Sequence, residues 1–258
     1  MCLILVAWRA HPDYPCVIAA NRDEFHARPA EPANWWRDDP RILGGRDSSA
    51  GGTWLGITRE GRFAALTNYR GAQRRDDAPS RGALVADILR SRDPVARVLE
   101  HLREVGANYN GFNVIFSDGE RLAVYESTLK TGRELAPGIY GLSNHLLDTP
   151  WPKVQNAKSA LSAALTLLPD TSAALALLRD DRPAPDELLP RTGLSREWER
   201  LVSSAFIRAD DYGTRCSTVI SIDRGGAASF EEWTWDAAGT EQGRVSYKFA
   251  RLAGASVI

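Results

Sequence analysis

Sulfur and imidazole are scarce in this chain: three cysteines, one methionine and four histidines in 258 residues. Cys2, Cys16 and Cys216 form no CxxC pair, which argues against a disulfide framework and against a zinc ribbon. Met1 is the sole methionine, so no later thioether can serve as an axial haem ligand. None of His11, His26, His101 and His145 stands in a CxxCH or paired motif, and no resident metal is expected. Excess basic charge is also missing. A formal net charge of −1 leaves no footprint for nucleic acid. The glycines of AGG at 50–52 are not followed by GK[ST], so they make no P-loop. No apolar run is long enough for a membrane span; the first begins at Cys2 and stops at Trp8-Arg9. No basic segment precedes that run as a signal peptide would require, and the expectation is a reduced, cytoplasmic protein.

What remains is ordinary globular composition, 43% hydrophobic and 25% charged. No composition break or internal repeat divides the chain, so residues 1–258 are expected to form a single domain. Hairpins dominate the pattern. Residues 2–8 (CLILVAW) and 16–21 (CVIAAN) read as strands around the turn RAHPDYP. Residues 53–58 and 62–68 flank REG, residues 112–116 and 121–127 flank SDGE, and residues 216–223 and 227–235 flank RGG. Residues 138–144 and 244–252 add two further strands. Helical spacing covers 82–92 and 94–105, broken at Pro94, then 153–168, 171–179 and 195–203. The stretch 180–193, with three prolines, reads as a surface loop. Several strands are apolar on both faces and need cover on both sides. An α+β fold follows: a four-layer αββα sandwich of two antiparallel sheets with helices outside.

Cys2 stands at the head of the first strand. If the first two strands pair about Pro12, residue 2 lies opposite about residue 22, within two positions. The polar segment NRDE, Asn21 to Glu24, then ends beside the thiol, either as a site or as a turn. The same counting sets AGG at 50–52 facing Asn68, with Gly51 and Gly52 allowing a tight turn or a close backbone approach. Two strands end on asparagine, at Asn68 and Asn144. Each of these residues has a purely structural alternative. Asn68 and Asn144 can cap turns, Asp23 can satisfy its own turn, Arg28 can pair with Glu24, and Arg215 with Asp210 or Asp211. Cys16 and Cys216 read as core thiols.

The stretches Met1-Cys2, AANRDEFHARP, GGTWLGI, ALTNYRG, YNGFN, YGLSN with TPW, and YGTRCST occur in that order over residues 1 to about 220. On these motifs the chain resembles the NRDE family, also called the transport and Golgi organisation protein 2 family. That resemblance implies an N-terminal-nucleophile hydrolase-like fold. It also implies a link to intracellular haem trafficking or to lipid and acyl-CoA handling. A more distant similarity is to choloylglycine hydrolases and penicillin V acylases, which begin Met-Cys. Their Asn and Asp correspond to Asn21 and Asp23, their later asparagines to Asn68 and Asn144, and their final Arg to Arg215. One position departs: Ala20 stands where those enzymes carry Arg. Arg22 is the nearby substitute, although alternation of strand faces counts against it.

The resemblance implies that Met1 is removed and that Cys2 supplies both thiol and α-amine, nucleophile and base on one residue. Asp23 then orients the ammonium, Asn68 or Asn144 donates to an oxyanion, and Arg215 lowers the thiol pKa or holds a substrate carboxylate. Asn21, Arg22, Trp54 and His145 are the candidates for contacting a ligand. The expected activity is hydrolysis of a C–N amide or acyl thioester bond, with no cofactor required. The alternative is a non-enzymatic carrier of haem or lipid on the same scaffold, with Cys2 or His145 as the candidate iron ligand. In either case the expected partner is a small molecule: an amide, an acyl compound or haem.

Overall fold

A computed structural model describes residues 2–71 and 74–252. Met1, whose removal the sequence predicts, lies outside the described residues. Thirteen strands among them form two antiparallel sheets. The first sheet has six strands. It is built from β1 (Cys2–Trp8), β2 (Cys16–Phe25), β10 (Gly138–Leu142), β11 (Tyr212–Ile222), β12 (Ala227–Trp235) and β13 (Glu241–Ala250), in the order β10-β1-β2-β11-β12-β13. The second runs in sequence order through seven strands. These are β3 (Ala30–Trp35), β4 (Ile42–Asp47), β5 (Leu55–Thr58), β6 (Phe63–Asn68), β7 (Phe112–Ser117), β8 (Leu122–Glu126) and β9 (Thr131–Leu135). Five α-helices accompany them: α1 (Arg81–Arg90), α2 (Val95–Val105), α3 (Pro152–Ala164), α4 (Ser172–Leu178) and α5 (Arg196–Leu201).

Strand alternation sorts the apolar side chains into three layers of core. On β1, Leu3, Leu5 and Ala7 face α3 and α4, while Ile4, Val6 and Trp8 face the second sheet. The inter-sheet core is completed from the second sheet by Leu55, Ile57, Phe63, Ala65 and Ile115. Ala64, Leu66, Val114 and Phe116 turn the other way and pack under α1 and α2. The layers are therefore α3/α4, first sheet, second sheet, α1/α2, the αββα sandwich expected from strands apolar on both faces.

Three strands have no counterpart in the sequence reading. β3 is mostly exposed and contains Pro32, β4 contains Gly44-Gly45, and β9 is a partly exposed edge. None shows the apolar run or the strict alternation that marks a strand. β11 begins at Tyr212, four residues before the stretch CSTVISID, and pairs with β2 through a bulge between Thr214 and Cys216. The glycine expectation holds at both positions. Gly51 has φ +73, and a Cβ on Gly52 would fall 2.4 Å from the carbonyl carbon of Gly82 at the start of α1. That close approach seats the first turn of α1 on the loop leading into β5.

α3 carries one buried charge. Lys153 is 6% exposed and its Nζ donates to the Val202 carbonyl at 2.9 Å. Burial pulls the amine down to about 8, with the Asp23 carboxylate opposing and Arg70 reinforcing the shift. The unfolded chain keeps the ordinary lysine value, so between about pH 8 and pH 10.5 it binds the extra proton and stability rises with pH. Denaturant unfolding of the wild type and of Lys153→Met across that window is expected to reveal it. The stability difference between the two should move in favour of the wild type by up to roughly 3 kcal/mol as pH rises. A difference independent of pH would contradict a buried, readily neutralised amine.

Candidate active site

The hairpin places Cys2 opposite Arg22, as counting about Pro12 predicts. Arg22 in turn lies opposite Cys216 on β11. Cys2, Arg22 and Cys216 thus form a row across three strands, on the face turned to the second sheet. This corrects the argument against Arg22 from strand alternation. Residues 20 and 22 are two apart and share a face. Ala20 is buried in the inter-sheet core, and Arg22, one step nearer the strand's end, opens into a cleft of about 330 Å³. Glu232 of β12 lines the same cleft, as do Trp54, just before β5, and Asn68 at the end of β6.

Asp23 occupies the opposite face of β2, toward the helices. It is 2% exposed; its Oδ1 accepts from Thr214 Oγ1 at 2.7 Å, and its backbone carbonyl accepts from the Tyr212 hydroxyl at 3.0 Å. Burial raises its pKa, against the lowering influence of the nearby Lys153 ammonium and of the Thr214 hydrogen bond. Burial also raises the Cys2 thiol, and the Asp23 charge adds to this. A hydrogen bond with the Asp23 backbone and the positive charge of Arg22 act in the other direction. Cys16 is pushed up to about 12 by burial, and Cys216 is raised by burial and by Glu232. Cys2 is the half-exposed thiol of the three; the other two are buried.

Asn144, just past the end of β10, ties the site together. Its Oδ1 accepts from the Cys2 backbone nitrogen at 3.2 Å, and its Nδ2 donates to the Asn68 carbonyl at 2.8 Å. The Arg70 backbone N–H donates to the Asn144 carbonyl at 2.7 Å, and Ser143 Oγ donates to the Cys2 carbonyl at 2.9 Å. The two asparagines expected at strand ends are therefore bonded to each other. The Asn68 side chain is exposed to the cleft. Arg215 sits at the bulge of β11 and borders the cleft, with its Nη1 donating to the carbonyls of Phe25, His26 and Arg28 at 3.0 to 3.1 Å. These bonds take the place of the Asp210 or Asp211 pairing considered from sequence. Arg28 pairs with Asp47 instead of Glu24.

Two candidate ligand contacts lie away from the cleft. Asn21 is fully buried on the helix side; its amide donates to the carbonyls of Leu178 and Ala205, and its Oδ1 accepts from Ser217 Oγ. These bonds hold the end of α4 and the segment at Ala205 to the sheet. His145 bonds Thr149 and packs its ring against Tyr69 and Trp151, and burial with the nearby Arg70 charge lowers its pKa. Among the described residues, no histidine lines the cleft and no cluster of three or more His, Cys, Asp or Glu is placed to hold a metal. Glu232 is absent from the sequence reading. It is buried, accepts from the Ala33 N–H and Thr218 Oγ1 and bonds the Cys216 thiol. An acid at an inward position of an otherwise apolar strand, as in FEEWTW, is the signal that points to it.

Comparison with known proteins places the chain. The sequence profile of the family described as Transport and Golgi organisation 2 matches residues 1–237. The chain is 38% identical over 258 residues to the Transport and Golgi organization protein 2 homolog of Bos taurus, covering 90% of this chain and 92% of the bovine protein. It is 34% identical over 256 residues to the homolog of Homo sapiens, with the same coverage of each. Among solved structures it is similar to a variant of conjugated bile acid hydrolase from Clostridium perfringens, at a TM-score of 0.47 and 10% identity over the full length of both chains. A similarity of that size transfers no function. No helix among the described residues is long and apolar enough to cross a membrane. With its profile matched over residues 1–237, the chain belongs to the Transport and Golgi organisation 2 family.

Proposed function

We propose that this protein is an N-terminal-nucleophile-type hydrolase in which Cys2 cleaves a C–N amide or acyl thioester bond of a small molecule in the cleft. The observation that carries this reading is the setting of Cys2. It heads β1 beside Asp23 on the neighbouring strand, and its backbone nitrogen is held by Asn144 Oδ1 at 3.2 Å.

Removal of Met1 turns that nitrogen into an α-amine, whose ordinary pKa is about 7.7–8.0 against about 8.5 for a thiol. The amine takes the thiol proton, and the buried Asp23 carboxylate favours the resulting ammonium. The thiolate attacks the substrate carbonyl carbon, and the Asn68 amide, facing the cleft, donates to the oxyanion. Collapse breaks the C–N bond as the ammonium returns its proton to the leaving amine, and Cys2 carries the acyl group as a thioester. Water, deprotonated by the same amine, attacks the thioester carbon, releasing the carboxylic acid and restoring the thiol. Each proton taken is returned, and no oxidant or metal enters the cycle.

Trace alkylation at neutral pH, followed by peptide mass analysis, tests the nucleophile in protein whose intact mass begins at Cys2. We expect Cys2 to be labelled about tenfold or more faster than Cys16 and Cys216, because each unit of pKa separation is tenfold in thiolate. Asp23→Asn should slow that labelling. Equal, slow labelling of all three thiols would contradict activation, as would full retention of Met1 in the native cell.

Cys2→Ala separates an enzyme from a carrier. The hydrolase reading expects ligand binding to survive and turnover of amides to vanish. A carrier that ligates haem iron through Cys2 gives the opposite pattern: shifted haem absorbance and weakened binding in Cys2→Ala, with no amide cleaved by the wild type.

A further inference from the structure

Lys153 is badly placed for a structural lysine. It lies in the first turn of α3, where the helix dipole disfavours a cation, and its side chain is buried. An ammonium has three hydrogens to donate. Among the described residues Nζ has one acceptor, the Val202 carbonyl, and no ion pair. A buried charge held this sparsely costs stability, so stability gives no reason for it.

The charges that face it come from four elements. Cys2 belongs to β1 and Asp23 to β2, Arg70 follows β6, and Glu199 belongs to α5. Arg70 and Glu199 form a buried pair at 2.8 Å and offset each other. One cation and one anion are left on the helix side, Lys153 and Asp23. Burial raises the Asp23 carboxyl, and the Lys153 charge opposes this, with a smaller contribution from Arg22 on the other face of β2. Burial lowers Lys153, and the Asp23 charge opposes that in turn.

We infer that Lys153 is a positioning residue: it competes with the Cys2 α-amine for the Asp23 carboxylate and so keeps that amine unprotonated at neutral pH. This role rests on the N-terminal-nucleophile reading, which supplies the amine. A buried carboxylate with one amine beside it holds that amine as an ammonium, and an ammonium cannot accept the thiol proton. With a second cation on the same carboxylate, protonating both amines costs repulsion. Lys153 titrates at about 8, so it is charged at the pH where the α-amine must work. Asp23 thus fixes the amine in place, and Lys153 leaves it basic. When the thiol proton arrives on the amine, the thiolate formed beside it offsets the new charge.

The test is the pH dependence of Cys2 alkylation by iodoacetamide, in protein whose intact mass begins at Cys2. The wild type is expected to reach half-maximal labelling below about pH 7.7, the ordinary α-amine value. A higher midpoint means an amine held as an ammonium, and overturns the inference without any variant. Removing a nearby cation makes the first proton harder to lose, whether it leaves the thiol or the amine. Lys153→Met should therefore raise the midpoint by about one pH unit, tenfold in the reactive form below it. Lys153→Gln gives the same reading if the Met variant does not fold. Lys153→Arg keeps the charge and should stay near the wild-type midpoint. Cys16 and Cys216 report the fold in the same digests. A merely structural lysine would expose those thiols on substitution and leave the Cys2 midpoint unmoved, which overturns the inference. A shifted midpoint in a protein that cleaves no N-decanoylglycine upholds the role of Lys153 and overturns the hydrolase. Cleavage with an unmoved midpoint does the reverse.

Discussion

One carboxamide joins the two sheets at the end where the cleft opens. Asn144 leaves β10 of the first sheet, accepts from the Cys2 nitrogen and donates to the carbonyl at the end of β6 in the second. Glu232 of β12 and Tyr247 of β13 also bond β3 across the sheets, and the rest of the core between them is apolar side chains, close-packed but not directional. The asparagine supplies direction. Its oxygen sets the position of the Cys2 backbone, and its nitrogen fixes the distance from that backbone to Asn68. Its own carbonyl is anchored by the Arg70 N–H, and the Arg70 side chain forms a buried pair with Glu199 of α5 at 2.8 Å. Removing one side of such a pair costs about 3–5 kcal/mol, so this end of the sandwich is held firmly.

The chemistry follows from the period of a strand. Consecutive residues of NRDE alternate between the helix layer and the inter-sheet cleft. Asn21 and Asp23 go to the helices and Arg22 goes to the cleft. One face thus holds a buried carboxylate near the backbone nitrogen of Cys2, and the other holds a guanidinium beside its side chain. A base-orienting anion and a ligand-facing cation are kept apart by the thickness of one strand. Side by side they would neutralise each other as a salt bridge.

Much of this was legible in the sequence where the interaction is local. Counting a hairpin about Pro12 places residue 2 opposite residue 22, and the counting is correct. Parity then assigns Arg22 to the cleft; treating it as facing away from position 20 reverses the result. The close approach at Gly52 and the two strand-end asparagines were also visible. The failures are long-range. Asn21 resembles a ligand contact until Leu178 and Ala205, more than 150 residues away, are seen to take its amide. His145 resembles a cleft residue until its ring is found against Tyr69 and Trp151. Arg215 borders the cleft as expected, but its bonds to the carbonyls of residues 25–28 depend on a bulge that no local pattern encodes. β3 and β4 escaped because Pro32 and Gly44-Gly45 interrupt the signals a strand normally gives.

The central claim is that residue 2 becomes acylated in the course of amide cleavage. Rapid acid quenching of the protein with excess N-decanoylglycine, followed by peptide mass analysis, tests this most directly. The expected product is a peptide that begins at Cys2 and carries the decanoyl mass as a hydroxylamine-sensitive thioester. An N-terminal peptide that stays unmodified while glycine is released, or an acyl group found on Cys16 or Cys216, would contradict it.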